Sequence, residues 1–116
     1  RISSLCNSFH TKHNVVYFNT HNSVQHEIVK ARLCFELQKT GVHYITEAPL
    51  KENHKEGKAD ILILDTAEVI EILVSEKLNQ VEHKTEKYPE ELTILAVTEW
   101  EDYFNGSYKT IRSGKS

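Results

Sequence analysis

Two acidic residues stand where a folding chain ordinarily puts apolar ones. Asp60 lies at the start of the run ADILILD (59–65), and Glu71 sits inside the next run, EVIEILV (68–74). Both runs are β-branched and apolar, and Thr66-Ala67 between them reads as a tight turn, so the pair is expected to form a hairpin. With the turn centred on 66 and 67, position 60 pairs with 73 and 62 with 71. Asp60 and Glu71 then form a diagonal pair on one face, roughly 7–8 Å apart at the backbone and within reach of one ligand. Ile61, Ile63, Ile70, Ile72 and Val74 collect on the opposite face as a core. A slip of one residue would send the two acids to different faces.

Facing carboxylates on a buried sheet are costly unless a cation or a donor lies between them. A divalent metal is the simplest solution. All-oxygen ligation suits Mg²⁺ or Mn²⁺, and Mg²⁺ commonly takes one or two carboxylates and leaves places for water and phosphate oxygens. The plainer alternative puts Asp60 at a solvent-facing strand end and pairs Glu71 with a helix lysine.

The elements that must hold these residues follow from periodicity and caps. Asn22-Ser23 can cap a helix over 24–41, in which Val24, Ile28, Ala31, Leu33, Cys34, Phe35 and Leu37 form an apolar stripe and Gly41 supplies the stop. VHYITEA (42–48) is a short strand stopped by Pro49, and KENHKEGK (51–58) is a polar loop. After the hairpin, Ser75 caps a second helix over 76–88, which Pro89 closes, and LTILAVT (92–98) is a last buried strand. NVVYFN (14–19) reads as an edge strand or a tether, and residues 99–116 as a polar and aromatic extension with room for a short helix. The result is an α/β fold: a mixed central β-sheet flanked by helices, in the order αβββαβ.

With that order in place, GKADILILDTAEVIEILVSE followed by a lysine-bearing helix ending in Tyr88-Pro89 resembles the PD-(D/E)XK nuclease superfamily. The resemblance covers about residues 22–98 and implies a core of restriction-endonuclease-like type. It implies that Asp60 and Glu71 are catalytic metal ligands, with the carbonyl of Ile72 as a further oxygen. Ala59 stands where the motif nominally has proline. Glu27, in the first helix, resembles the extra acid many members set beside the metal; a plain surface glutamate is the alternative. Where the motif wants lysine, two residues after Glu71, this chain has Leu73. Some members are thought to supply that lysine from the next helix, where Lys84 is the preferred candidate, with Lys87 next and Lys77 behind them; these three would also meet the nucleic acid. The implied activity is metal-dependent hydrolysis of phosphodiester bonds in DNA, with Mg²⁺ or Mn²⁺ as cofactor and a homodimer as a plausible assembly. A catalytically inactive module on the same fold, binding nucleic acid or protein, is the rival reading, and Leu73 favours it. A third is an unrelated α/β interaction domain in which Glu71 is salt-bridged to Lys84.

The totals agree with one domain over residues 1–116, in which 1–21 and 99–116 extend the core. A net charge of −3 gives no overall pull toward nucleic acid, although Lys109, Arg112 and Lys115 make the last residues basic. No run of about 18 apolar residues is present, so no membrane span is expected. The chain opens at Arg1 without a charged-then-apolar leader and reads as an ordered portion of a longer protein. Cys6 and Cys34 are too few for a disulfide framework; Cys34 reads as a buried free thiol, which points to a reducing, cytoplasmic setting. The composition names no host, and a viral or mobile-element source is the expectation. The seven histidines lack the spacing of structural zinc. His21, His26, His54 and His83 read as surface residues, with a place at the border of the site as the alternative for His26. Tyr88, Trp100, Tyr103 and Phe104 read as packing residues rather than base-stacking ones.

Overall fold

The structure, a computed structural model, describes residues 13–52, 55–74 and 76–115. Eight elements follow one another: α1 (Val24–Lys39), β1 (Tyr44–Glu52), β2 (Lys55–Ile63), β3 (Glu68–Ile72), α2 (Leu78–Thr85), β4 (Thr93–Val97), α3 (Glu101–Asn105) and β5 (Lys109–Arg112). The strands form one sheet in the order β1-β2-β3-β4-β5. β1, β2 and β3 are antiparallel neighbours, α2 crosses over to bring β4 parallel to β3, and β5 returns antiparallel on β4. The expected succession of helix, three strands, helix and strand is present, and α3 and β5 extend it.

The sheet has two apolar faces. On one, Val29, Leu33, Cys34 and Leu37 of α1 pack on Tyr44, Ile61, Ile63, Ile70, Ile72 and Val97. Burying a leucine as fully as Leu33 or Leu37 contributes roughly 1.5–3 kcal/mol. The other face joins Ile45, Ala48, Leu50, Ala59, Leu62, Val69 and Ile94 to Tyr88 and Leu92, which follow α2. Val74 is partly buried against the α1 side, so the isoleucine-rich core falls on the expected face.

Several sequence expectations need correction. β1 does not stop at Pro49 but runs to Glu52, and β2 begins at Lys55, inside the stretch read as a loop. Pro49 is tolerated because β1 is the edge of the sheet, where a missing N–H on the open side breaks no ladder bond. The hairpin register differs by two residues: Ile61 faces Ile70, Leu62 faces Val69 and Ile63 faces Glu68. The turn is therefore centred between Asp65 and Thr66, and Ala67 takes a left-handed conformation (φ +60°). A shift of two preserves the faces and brings Asp60 level with Glu71 instead of diagonal to it.

In α1 the stripe that faces the sheet is His26, Val29, Lys30, Leu33, Cys34 and Leu37, while Val24, Ile28 and Phe35 are exposed. The helix is apolar on two faces. It buries the one that also carries charge because acids on β1 and β2 lie beneath its first turns. Ser23 caps α1 by accepting the His26 N–H at 3.1 Å. Ser75 lies outside the described residues, as do Cys6 and His54. α2 is shorter than expected and starts after Lys77, which leaves Lys87 and Tyr88 beyond its end.

Candidate functional site

The site is built where two strands change face together. Thr46 pairs with Ile61 and Ala48 with Ala59, which sets Glu47 level with Asp60. Ile45 and Ala48 nevertheless share one face, as do Leu62 and Ala59. In a regular strand residues three apart lie on opposite faces. The switch is made at Glu47, whose φ of +49° is uncommon for a residue with a Cβ. Just beyond it the carboxylates engage backbone groups across β2 and β3. Asp60 Oδ2 accepts the Ile72 N–H at 2.9 Å, and Glu71 Oε2 accepts the Asp60 N–H at 3.3 Å.

Both acids are buried, Asp60 at 5% exposure and Glu71 at 1%. Lys84 of α2 reaches Glu71 Oε1 at 2.7 Å while its own side chain remains 40% exposed. Tyr88 donates from its hydroxyl to the Lys58 carbonyl at 3.0 Å and, more weakly, to Glu71 Oε2 at 3.4 Å. That position depends on Gly57, where an added Cβ would sit 3.1 Å from the Tyr88 ring and 3.2 Å from Lys87 Cε.

From the other side α1 supplies a histidine. His26 is 2% exposed, with Nε2 3.1 Å from Asp60 Oδ2 and Nδ1 2.6 Å from Glu27 Oε2. Glu27 also accepts the Asn19 N–H and the Asn22 side-chain amide, and pairs with Lys30. The fully buried Lys30 ammonium reaches Glu47 Oε2 at 3.2 Å and the Tyr17 carbonyl at 2.8 Å. One polar chain thus runs Glu47, Lys30, Glu27, His26, Asp60, Glu71, Lys84, and crosses the sheet from α1 to α2.

Its electrostatics follow from burial opposed by partners. Burial works against a charged His26, but Asp60 and then Glu27 outweigh it and push the imidazole up to about 9. Burial likewise disfavours ionised Glu27, yet Lys30, the Asn19 N–H, Asn22 and His26 hold it down at about 2. For Glu71, burial and the Asp60 charge raise the carboxyl well above the usual carboxylate range, and Lys84 opposes without reversing this. Burial pulls the Lys84 ammonium down; Glu71 and Asp60 more than compensate and raise it. Both members of the Lys84–Glu71 pair therefore hold protons more firmly than usual.

The structure brings Asp60, Glu71, Lys84 and Glu27 together, with Ile72 present through its N–H. Lys77 is exposed at the start of α2, and Lys87 lies over Gly57; neither bonds to either carboxylate among the described residues. Burial overturns the surface reading of His26 and the surface alternative for Glu27. Lys30, Glu47 and Tyr88 are site residues that sequence reasoning passed over or read only as packing. The available signal was the spacing of His26, Lys30, Leu33 and Leu37, a helical stripe whose first turns are polar. His21 and His83 are exposed as expected. Trp100 and Tyr103 pack against the α1 side of the core, Trp100 with Arg32 stacked at 4.2 Å, and the more exposed Phe104 packs edge-on against both of their rings.

A cleft of about 170 Å³ opens beside Asp60, lined by Asn22, His26, Glu76, Gln80 and Lys84. No family model, curated protein or solved structure matches this chain. Among the described residues no group of three or more His, Cys, Asp and Glu side chains is arranged to hold a metal ion. The smaller set of two neighbouring carboxylates fits Mg²⁺ or Mn²⁺ in chemistry, because a shared divalent cation would relieve the Asp60 repulsion that, after burial, raises Glu71. Both hydrogen bonds to the Asp60 carboxylate from described residues end on Oδ2. No helix among the described residues is long and apolar enough to cross a membrane, and Cys34 is a buried free thiol pushed up to about 12 by desolvation.

Proposed function

We propose that the chain is a metal-dependent nuclease of the PD-(D/E)XK kind, with a restriction-endonuclease-like core, that hydrolyses phosphodiester bonds of DNA. The observation that carries the reading is the buried Asp60–Glu71 pair on adjacent strands, with Lys84 from the following helix 2.7 Å from Glu71. Lys84 thus puts an ammonium beside Glu71 although Leu73 supplies none two residues after it.

Bound Mg²⁺ or Mn²⁺ would supply an activated water and neutralise charge on the phosphate. The protein's own residues do the rest. Asp60 and Glu71 would hold the cation from rigid strands, and His26 and the Ile72 N–H fix the Asp60 carboxylate. Tyr88 and Lys84 fix Glu71, and the Lys84 ammonium, part-exposed at the cleft, stabilises negative charge developing on the phosphate. One such site cuts one strand at a time, and a homodimer would let both strands of a duplex be cut together.

A second reading has its own support. His26 beside Asp60 and Lys84 beside Glu71 already give each carboxylate a cationic partner. A module that binds nucleic acid or protein without catalysis, or an interaction domain of another α/β family, would need nothing more. The test is cleavage of linear DNA, supercoiled DNA and RNA with Mg²⁺, Mn²⁺ or chelator, comparing the parent with Asp60→Asn and Glu71→Gln. Metal-dependent cutting lost in both folded variants establishes the nuclease; a parent that cuts nothing with any metal leaves the non-catalytic reading.

A further inference from the structure

The face switch at Glu47 and Asp60 has a second effect. It turns Lys58 to the α1 side of the sheet, beside the segment that precedes α1. That segment is pinned along β1. Asn14 N–H donates to the Tyr44 carbonyl at 2.8 Å, and Tyr17 N–H donates to Thr46 Oγ1 at 2.8 Å. Asn19 is tied to Glu27 and to Glu47. The backbone is held, yet the rings it carries point outward: Tyr17 is 40% and Phe18 64% exposed. Tyr17 and Phe18, together with His21, Thr46, Glu47 and Lys58, line a cleft of about 440 Å³, larger than the one beside Asp60.

We propose that this cleft is a binding site for a single-stranded segment of nucleic acid, with bases stacked on Phe18 and Tyr17 and a backbone phosphate at Lys58. The inference rests on the nucleic-acid reading above and specifies which form of it the protein grips. Large apolar rings on a pinned backbone give a stacking surface at little ordering cost, and every base offers a face to stack. In a duplex those faces are already stacked on each other, so the rings discriminate for unpaired strands. The wall acid Glu47 is paired with Lys30, which removes most of its repulsion for phosphate. Among the described residues Lys58 forms no ion pair. One wall residue of this cleft, Glu47, stands level with Asp60 between the Thr46–Ile61 and Ala48–Ala59 pairs.

The experiment is fluorescence anisotropy with labelled oligothymidylate and with a labelled blunt duplex, in chelator so that nothing is cut. The parent should prefer the single strand. Phe18→Ala and Tyr17→Ala should each weaken that binding roughly five- to a hundredfold, with Phe18→Trp restoring it and reporting contact by fluorescence quenching. Lys58→Ala should lower the salt dependence by roughly one phosphate contact. Circular dichroism checks that each variant is folded, as exposed residues allow. Unchanged single-strand affinity in the two ring variants, equal loss on duplex, or no binding by the parent would overturn the proposal. Ring-dependent binding without metal-dependent cutting would uphold the cleft and remove the nuclease. Cutting that is indifferent to the ring variants would do the reverse.

Discussion

His26 Nε2 lies 3.1 Å from Asp60 Oδ2, and both side chains are almost out of solvent. A helix residue and a strand residue thirty-four positions apart thus share one buried polar bond, and that bond favours the protonated form of His26.

Stability should peak in mildly acidic solution. His26 rises from its ordinary 6.5 to about 9, so its contribution is full below 6.5 and is lost as pH climbs through 9. The Glu71 carboxyl is also raised, so the folded protein binds the extra proton and stability again falls as pH increases. Glu27 is lowered from 4.5 to about 2, and its contribution disappears as pH drops through that window. Urea midpoints measured across pH should be highest near 4.5, decline from there through Glu71 and more steeply above 6.5 through His26, and His26→Gln should flatten that upper limb. A parent curve that keeps rising through pH 9 contradicts the assignment.

Metal binding should release protons. A cation shared by Asp60 and Glu71 favours the ionised form of Glu71, whose proton must leave. Calorimetric titration with Mn²⁺ in buffers of different ionisation enthalpy should show net release and affinity that strengthens with pH. Metal at a hundredfold excess over Kd should stabilise the fold by about 2.7 kcal/mol, an increment that chelator removes and Asp60→Asn abolishes.

Lys84→Met should cost about 1–3 kcal/mol, the range for leaving one buried polar partner unsatisfied. Glu71 would respond by holding its proton more firmly still. In the Lys84→Met, Glu71→Gln cycle the double variant should lose less than the two single losses combined, because the residues share a 2.7 Å contact. Strict additivity in urea denaturation would show that the pair is not coupled.

Lys30→Met should be among the more damaging single changes, roughly 3–5 kcal/mol, since it strands Glu27 and Glu47 without their common cation. By contrast Arg32→Ala, which loses the pair with Glu36 and the stacking on Trp100, should cost only about 1–2 kcal/mol. Parallel thermal and urea melts of the two variants decide this.

Much of this design was legible in the residues. Alternation in 61–65 and 68–74 placed Ile61, Ile63, Ile70 and Ile72 on one face, because side-chain direction in a strand has a period of two. A two-residue error in the turn left that intact. Ser23 and Gly41 bounded α1 through local chemistry, a side-chain cap and a left-handed φ of +78°. The tertiary structure decided what local chemistry leaves open. Two stripes on α1 compete for burial, and the winner carries His26, Glu27 and Lys30 because Asp60 and Glu47 beneath them require partners. Whether Pro49 ends a strand depends on whether that strand lies at the edge. The left-handed Glu47, which turns Lys58 toward Tyr17 and Phe18, is held by contacts to Lys30 and Asn19 from outside its own strand. Periodicity and capping belong to neighbours in sequence. Face selection, edge position and the pairing of buried charge belong to neighbours in space, and only the assembled sheet and helix define those.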